Sequence, residues 1–208
     1  MKVKVNEFNQ FQVTTEQKPP KMDINMHILV CTSLRPSPRT RTFCRDLAAS
    51  SSTFQYIVRG KSNILSLMSY AYMSGAHRLW LVSSSHGNPK TITFYDVSKS
   101  PPAKIGYLVI KGVALRREIG NLYPKSTRMR PLVLIPPEDN SLKDLYSLMK
   151  QALPSTTPSE ALCTYLRIER PSDTGAALLF IESQTGLFCG PKISIGDYRW
   201  LNATSPQP

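Results

Sequence analysis

The sequence predicts an α/β protein of two similar halves, each a parallel or mixed sheet with flanking helices. Three observations carry this. Between residues 28 and 82, strand and helix patterns alternate with short connections, as parallel strands joined by right-handed crossovers do. Near Leu132 the pattern restarts with a strand, a proline-bearing loop and a capped helix. The 208 residues, 41% hydrophobic, suffice for one large domain or two small halves with a sizeable core. The expected division is a flexible polar tail over 1–25, a folded part over 26–201 and a short tail over 202–208. Within the folded part, a basic half covers 26–120 and a near-neutral half covers 121–201.

The elements follow in order. The apolar run Ile28 to Cys31 suits a strand buried on both faces. After the loop Leu34-Arg35-Pro36-Ser37-Pro38, Ser37 caps a helix and Pro38 fits its first turn, where no amide hydrogen is required. Phe43, Cys44 and Leu47 share one helical face, whereas Arg41 and Arg45 share another. Gln55 to Val58 reads as a second strand and Arg59-Gly60-Lys61 as a basic turn. Ser62 is expected to cap a helix running to Gly75. Arg78 to Val82 is a third strand, with Trp80 in its core, and Ser83 to Pro89 reads as a loop with a Gly87-Asn88-Pro89 turn. Strands follow at Thr91 to Val97 and Ile105 to Leu115, then a basic connector from Gly120 to Arg130. The second half offers a strand at Leu132 to Ile135 and a helix carrying Leu142, Leu145, Leu148, Met149 and Leu153. Strands at 162–169, 176–182 and 192–201 complete it.

Charge is uneven. Residues 1–130 hold 20 Lys+Arg against 6 Asp+Glu, and residues 131–208 hold 6 against 8. A basic half beside a near-neutral one implies an anionic partner that engages mainly one side. Arg35, Arg39, Arg41 and Arg45 surround one helix N-terminus, which already favours anions through its free amides and dipole. Arg59 and Lys61 follow the second strand, so both loops open at the carboxyl edge of the sheet, where ligands of such sheets bind. Asn88 and Lys90 reach the same rim from the third strand. Arg128 and Arg130 sit in a second basic cluster with Arg116, Arg117 and Lys125, for which a solvated linker is the competing reading. Tyr56, Tyr95, Tyr107 and Tyr123 are available to stack on bases.

The run TSLRPSPRTRTFCRDL, then Arg59-Gly60-Lys61, Gly75-Ala76-His77-Arg78 and Gly87-Asn88-Pro89, resembles the Brix family, above all its single-domain archaeal members. The likeness covers about Met26 to Arg117. It implies a ribosome biogenesis factor that binds rRNA or pre-rRNA, with ribosomal or assembly proteins as further partners. It also implies a domain of two α/β halves similar to anticodon-binding domains. One departure is Ser83-Ser84-Ser85-His86, where many members carry a more basic segment.

Other classes are not expected. The first loop has no glycine between Ile28 and Phe43, so it fits neither nucleotide-binding glycine pattern. His27, His77 and His86 lack metal-ligand spacing, the acids form no general acid/base pair, and no GxSxG elbow accompanies the serines beside His86. Cys31, Cys44, Cys163 and Cys189 form no CxxC pair, and Cys31 and Cys44 read as small core residues in the reducing compartment expected of a cytoplasmic protein. We therefore expect no enzyme activity, cofactor, metal or small-molecule substrate. No apolar run is long enough to span a membrane, and no signal-peptide core is present.

Overall fold

Ile28–Thr32 forms β1, and its side chains are buried on both faces, as the unbroken apolar run requires. The computed structural model describes residues 27–124, 127, 130–154, 162–171 and 175–201. Both expected tails and the candidate residue Arg128 lie outside these. From β1 the chain turns into α1, Pro38–Ser50, whose cap is Ser37: its hydroxyl accepts from the Thr40 amide at 3.1 Å, with Pro38 at the first turn. The strand β2, Phe54–Tyr56, pairs parallel to β1 and is shorter than the expected Gln55 to Val58. The helix α2, Ile64–Met73, is capped by Asn63 rather than Ser62; the Asn63 side chain accepts from the Ser66 amide at 2.8 Å. Gly75, with φ +78°, then turns the chain back, a conformation glycine adopts without steric penalty.

The third strand, β3, is Arg78–Ser85 and lies parallel to β1. It is longer than predicted, because Ser83, Ser84 and Ser85 continue the ladder instead of forming a loop. The turn is the dipeptide His86-Gly87, with φ +48° and +80°, and Asn88 and Pro89 already belong to β4, Asn88–Asp96. Two consecutive positive φ values give the tight hairpin that matches strand twist. Pro89 is tolerated beside a shift of register between Ser83 and Ser84. Then come β5, Ala103–Ala114, and a 3-10 turn at Arg116–Glu118. The second half contributes β6, Leu132–Leu134, a 3-10 turn at Asn140–Leu142, α3, Lys143–Ala152, and the strands β7, Thr164–Glu169, β8, Ala177–Glu182, and β9, Lys192–Trp200.

The nine strands of the described residues make one curled sheet in the order β2-β1-β3-β4-β5-β9-β8-β7-β6. Read inward from either end, the two sides repeat. A parallel strand pair embraces the first helix, and one antiparallel strand, β4 or β8, leads to the central pair β5 and β9. Among the described residues, the second side has no counterparts of β2 and α2. Both sheet ends are three-residue strands, short edges that offer little template for further pairing.

The curl encloses α1 and α3 in one core with the inward sheet face. Trp80 sits edge-on to Phe54 and Phe94 at 5.0 and 4.9 Å between ring centroids, and Phe54 meets Phe180 of the other half at 6.1 Å. The Trp80 indole donates to the Ala152 carbonyl at 3.0 Å, which satisfies its one buried donor. A second cluster packs Leu67, Met68 and Ala71 of α2 on Leu29, Cys31 and Leu79, on the opposite face. The four cysteines are buried free thiols, and burial pushes Cys31 up to about 12 against the pull of Arg59.

Candidate nucleic-acid interface

The loops after β1 and β2 meet, as their parallel pairing demands. Between them lies a cavity of about 330 Å³, lined by Arg35, Arg41, Arg45 and Arg59 together with Tyr56 and Ser33. The cavity lining contains no carboxylate. Arg35, Arg41 and Arg45 are exposed and Arg59 is half-buried, its Nε donating to the Ser62 carbonyl at 2.9 Å. Arg41 and Arg45 project from one face of α1 because they are four residues apart. Arg35 has φ +52°, a left-handed conformation that disfavours any side chain with a Cβ and is found disproportionately at functional sites. The first turn of α1 holds no acidic residue, so its amide dipole adds to the positive field. Tyr56 shares this lining with the arginines; burial pushes its phenol up, while Arg45 and Arg41 pull it down.

Arg39 behaves differently from Arg41. Its guanidinium grips Glu118 through both carboxylate oxygens, at 2.5 and 2.7 Å, and also donates to the Val113 carbonyl at 2.9 Å. The pairing holds the Glu118 carboxyl below its ordinary range, chiefly through the Arg39 hydrogen bond. Of the four arginines expected to serve an anion at this helix start, Arg39 is thus bound within the fold, whereas Arg41 lines the cavity. Asp46 holds the same connector by accepting from the Arg116 amide at 2.9 Å.

Arg130 is likewise withdrawn. It pairs with Glu182, which is fully buried, donates to the Tyr123 hydroxyl at 3.0 Å, and lies 5.1 Å from the centre of that ring. Burial alone would raise Glu182, but hydrogen bonds from Thr185, Gln184 and Arg130 hold it at about 2. Arg130 thus closes a structural pair instead of presenting a cation, and Tyr123 leaves the set of stacking candidates. Lys61 is exposed in the turn before α2.

Asn88 and Lys90 line a separate cavity of about 520 Å³, beside His86, Lys111 and Val113. It is not the arginine groove, but Val113, whose carbonyl takes Arg39, belongs to its wall. Lys111 went unnoticed in the sequence; its position in an apolar strand next to Gly112 was the available signal. Glu118 also had one, as the sole acid between Asp96 and Glu138. Among the described residues, no group of His, Cys, Asp and Glu could hold a metal ion, and no helix is long and apolar enough to cross a membrane.

The equivalent rim of the second half follows β6. Its cavity, about 550 Å³, is lined by Glu138, Asp139 and Glu169 as well as Arg167 and Arg170. Here each arginine faces an acid: Arg170 lies 3.3 Å from Asp139 and Arg167 3.6 Å from Glu169. Asp139 also accepts from the Ser141 amide at 2.8 Å, so the protein's own carboxylate caps the 3-10 turn that leads into α3, whose own start at Leu142 has no side-chain cap.

No family model matches the chain. Curated homologues do. A probable Brix domain-containing ribosomal biogenesis protein of Thermococcus kodakarensis is 41% identical over 93 residues, which is 45% of this chain and 45% of that protein. The protein of the same description from Pyrococcus horikoshii is 40% identical over 93 residues, 45% of this chain and 42% of its own length. The match spans less than half the length of these relatives. In structure, a probable ribosomal biogenesis protein from Aeropyrum pernix superposes with a TM-score of 0.68 at 29% identity, over 82% of this chain and 95% of that one. An archaeal Imp4-like protein superposes with a TM-score of 0.59 at 24% identity, over 83% and 99%, and speaks for the fold alone. The resemblance read from the arginine-rich block thus agrees with homologues that carry the Brix name, and the mixed α/β sheet is that of these structural neighbours.

Proposed function

We propose that the protein is a ribosome biogenesis factor that grips rRNA or pre-rRNA at the arginine groove and assists rRNA processing and subunit assembly without covalent chemistry. The observation that carries this reading is the groove itself. Arg35, Arg41, Arg45 and Arg59 converge on a helix start with no carboxylate in the wall. Each guanidinium can take a phosphate through two parallel hydrogen bonds. Lys61 at the turn and Lys90 and Lys111 in the neighbouring cavity extend the positive surface along the rim. Asn88 adds a neutral donor there. Such contacts position a phosphate chain without reading its sequence. The homologues' description as ribosomal biogenesis proteins supplies the class of RNA. A role as a protein-docking scaffold in the assembling particle is the competing outcome.

The test is a titration of a single-stranded rRNA fragment across salt concentrations. With roughly four to six phosphates neutralised, the log–log slope should be about −3 to −4. Changing Arg35, Arg41 and Arg45 to alanine should weaken binding by about 30- to 1,000-fold and flatten the slope by about 2. Changing Lys143 and Lys150, on the near-neutral half, should matter little. A flat salt response, or a control pair as costly as the arginines, would sink the reading, and RNA-independent capture of an assembly protein would favour the scaffold.

A further inference from the structure

Among the described residues, the outward face of the central strands carries half-buried and exposed side chains. Gly106, Leu108 and Ile110 of β5 turn inward, toward α3 and the core. Alternation turns Tyr107, Val109 and Lys111 the other way, where the first two are half-buried and the lysine is exposed. The register extends this face across neighbouring strands. Thr93 of β4 stands beside Tyr107 on one side and Arg199 of β9 on the other. Thr91 and Asp197 flank Val109 in the same way, Asp197 being the carboxylate in register with this row. Lys104 lies 5.4 Å from the centre of the Tyr107 ring, so the ring presents its π-face to a cation from the solvent side. Tyr95, by contrast, packs against the cluster under α2.

From this we infer that the open face of β4, β5 and β9 is a second RNA subsite, which takes an unpaired base on Tyr107 while Lys104, Arg199 and Lys111 take the adjoining phosphates. The inference rests on the RNA-binding reading and specifies the nucleic acid as single-stranded. The physical argument has two parts. A flat aromatic ring on a sheet suits a base of any identity, because every base has a π-face, and the exposed Lys104 can swing from over the ring to an adjoining phosphate. A paired helix keeps its bases stacked inside and cannot offer one. The face is also continuous with the proposed phosphate surface, since Lys111, about 13 Å along β5 from Tyr107, lines the cavity that holds Lys90.

The experiment compares a fluorescent oligouridine with an RNA duplex of the same length at fixed salt. Tyr107→Thr removes the ring but keeps a residue that favours strands. It should weaken oligouridine binding by at least about fivefold, the lower end of one base–aromatic stack. The salt slope and the duplex affinity should not change, and Tyr107→Phe should bind like the native chain. No loss, an equal loss on the duplex, or an equal loss with Tyr107→Phe overturns the inference. A crosslink to the native chain checks it without any variant: a 4-thiouridine strand should attach on β5, and attachment confined to residues 35–59 overturns the sheet-face site. If the native chain binds neither RNA, the RNA reading falls as well. If the arginine-groove variants lose binding and Tyr107→Thr does not, that reading stands and only the sheet-face site falls.

Discussion

The two halves place a loop, a helix start and a cavity at equivalent points of one sheet, and fill them with opposite electrostatics. After β1, exposed Arg41 and Arg45 rise from a helix whose first turn contains no acid. After β6, Asp139 caps the 3-10 turn that leads into α3, Asp144 stands in the first turn of α3, and Arg167 and Arg170 face carboxylates. Both rims follow a strand of a parallel pair and lead into a helix; what differs is whether the chain supplies acids of its own there. A helix start that satisfies its own dipole has little to gain from an external phosphate, whereas one left uncompensated does. Topology therefore places a cavity at each rim, and side-chain charge distinguishes the two.

Breaking this contrast most severely, Arg41→Glu with Arg45→Glu would give the first rim its own acids. RNA affinity should fall by more than about 3 kcal/mol in a fixed-salt titration, through lost charged contacts and added repulsion. Arg167→Ala with Arg170→Ala should leave affinity within about twofold, because exposed ion pairs contribute little and these are already paired.

The buried pair of the second half provides the next test. Glu182 is held at about 2, below its ordinary value of about 4.5. A lowered carboxyl pKa contributes stability that is fully present above about pH 5 and is lost as pH falls toward about 2. Glu182→Gln should lower stability at neutral pH by on the order of 2–3 kcal/mol and flatten the acid limb of the unfolding curve over that window. An unchanged acid limb in urea melts would remove Glu182 from the account.

Where the halves join, Gly106 allows the close approach of β5 to its neighbours. A Cβ there would stand 2.4 Å from the Arg199 carbonyl oxygen and 2.8 Å from Leu148. Gly106→Ala should cost about 1–3 kcal/mol as overpacking. The same change at Gly112, which has nothing within 4 Å of its Cβ position, should cost far less in the same thermal melt. The smallest effect concerns Glu118. Glu118→Gln frees Arg39 beside the groove and should tighten RNA binding by about two- to fivefold, as one more cation becomes available. Weaker binding would mean that the Arg39 clamp shapes the groove.

Much of this was readable one residue at a time. The buried run of β1, the Ser37 cap, the core position of Trp80 and the convergence of two strand loops all follow from local pattern and parallel pairing. The missed features depend on distant partners. Glu118 reaches Arg39, and Glu182 reaches Arg130, through tertiary contacts that no local period encodes. The serines before His86 have loop-like composition, yet pairing with β4 recruits them to a strand. The turn slid toward His86-Gly87 because pairing beyond Val82 restricted where two positive φ values could fall. Asn63 replaced Ser62 as the cap, a one-residue choice between two good capping side chains.

The seam between β5 and β9 bears on how the chain reaches this state. Gly106 pairs with Trp200 and Ala114 with Lys192, so the middle of the sheet forms between segments remote in sequence. Such high contact order implies slow folding, since loop closure must precede the reward. During synthesis β5 waits as a bare edge, twelve residues long, until β9 emerges. An unpaired edge of that length can recruit a foreign strand. The finished sheet hides its longest strands in the middle and leaves three-residue strands outside, so the hazard is confined to the interval before the seam closes.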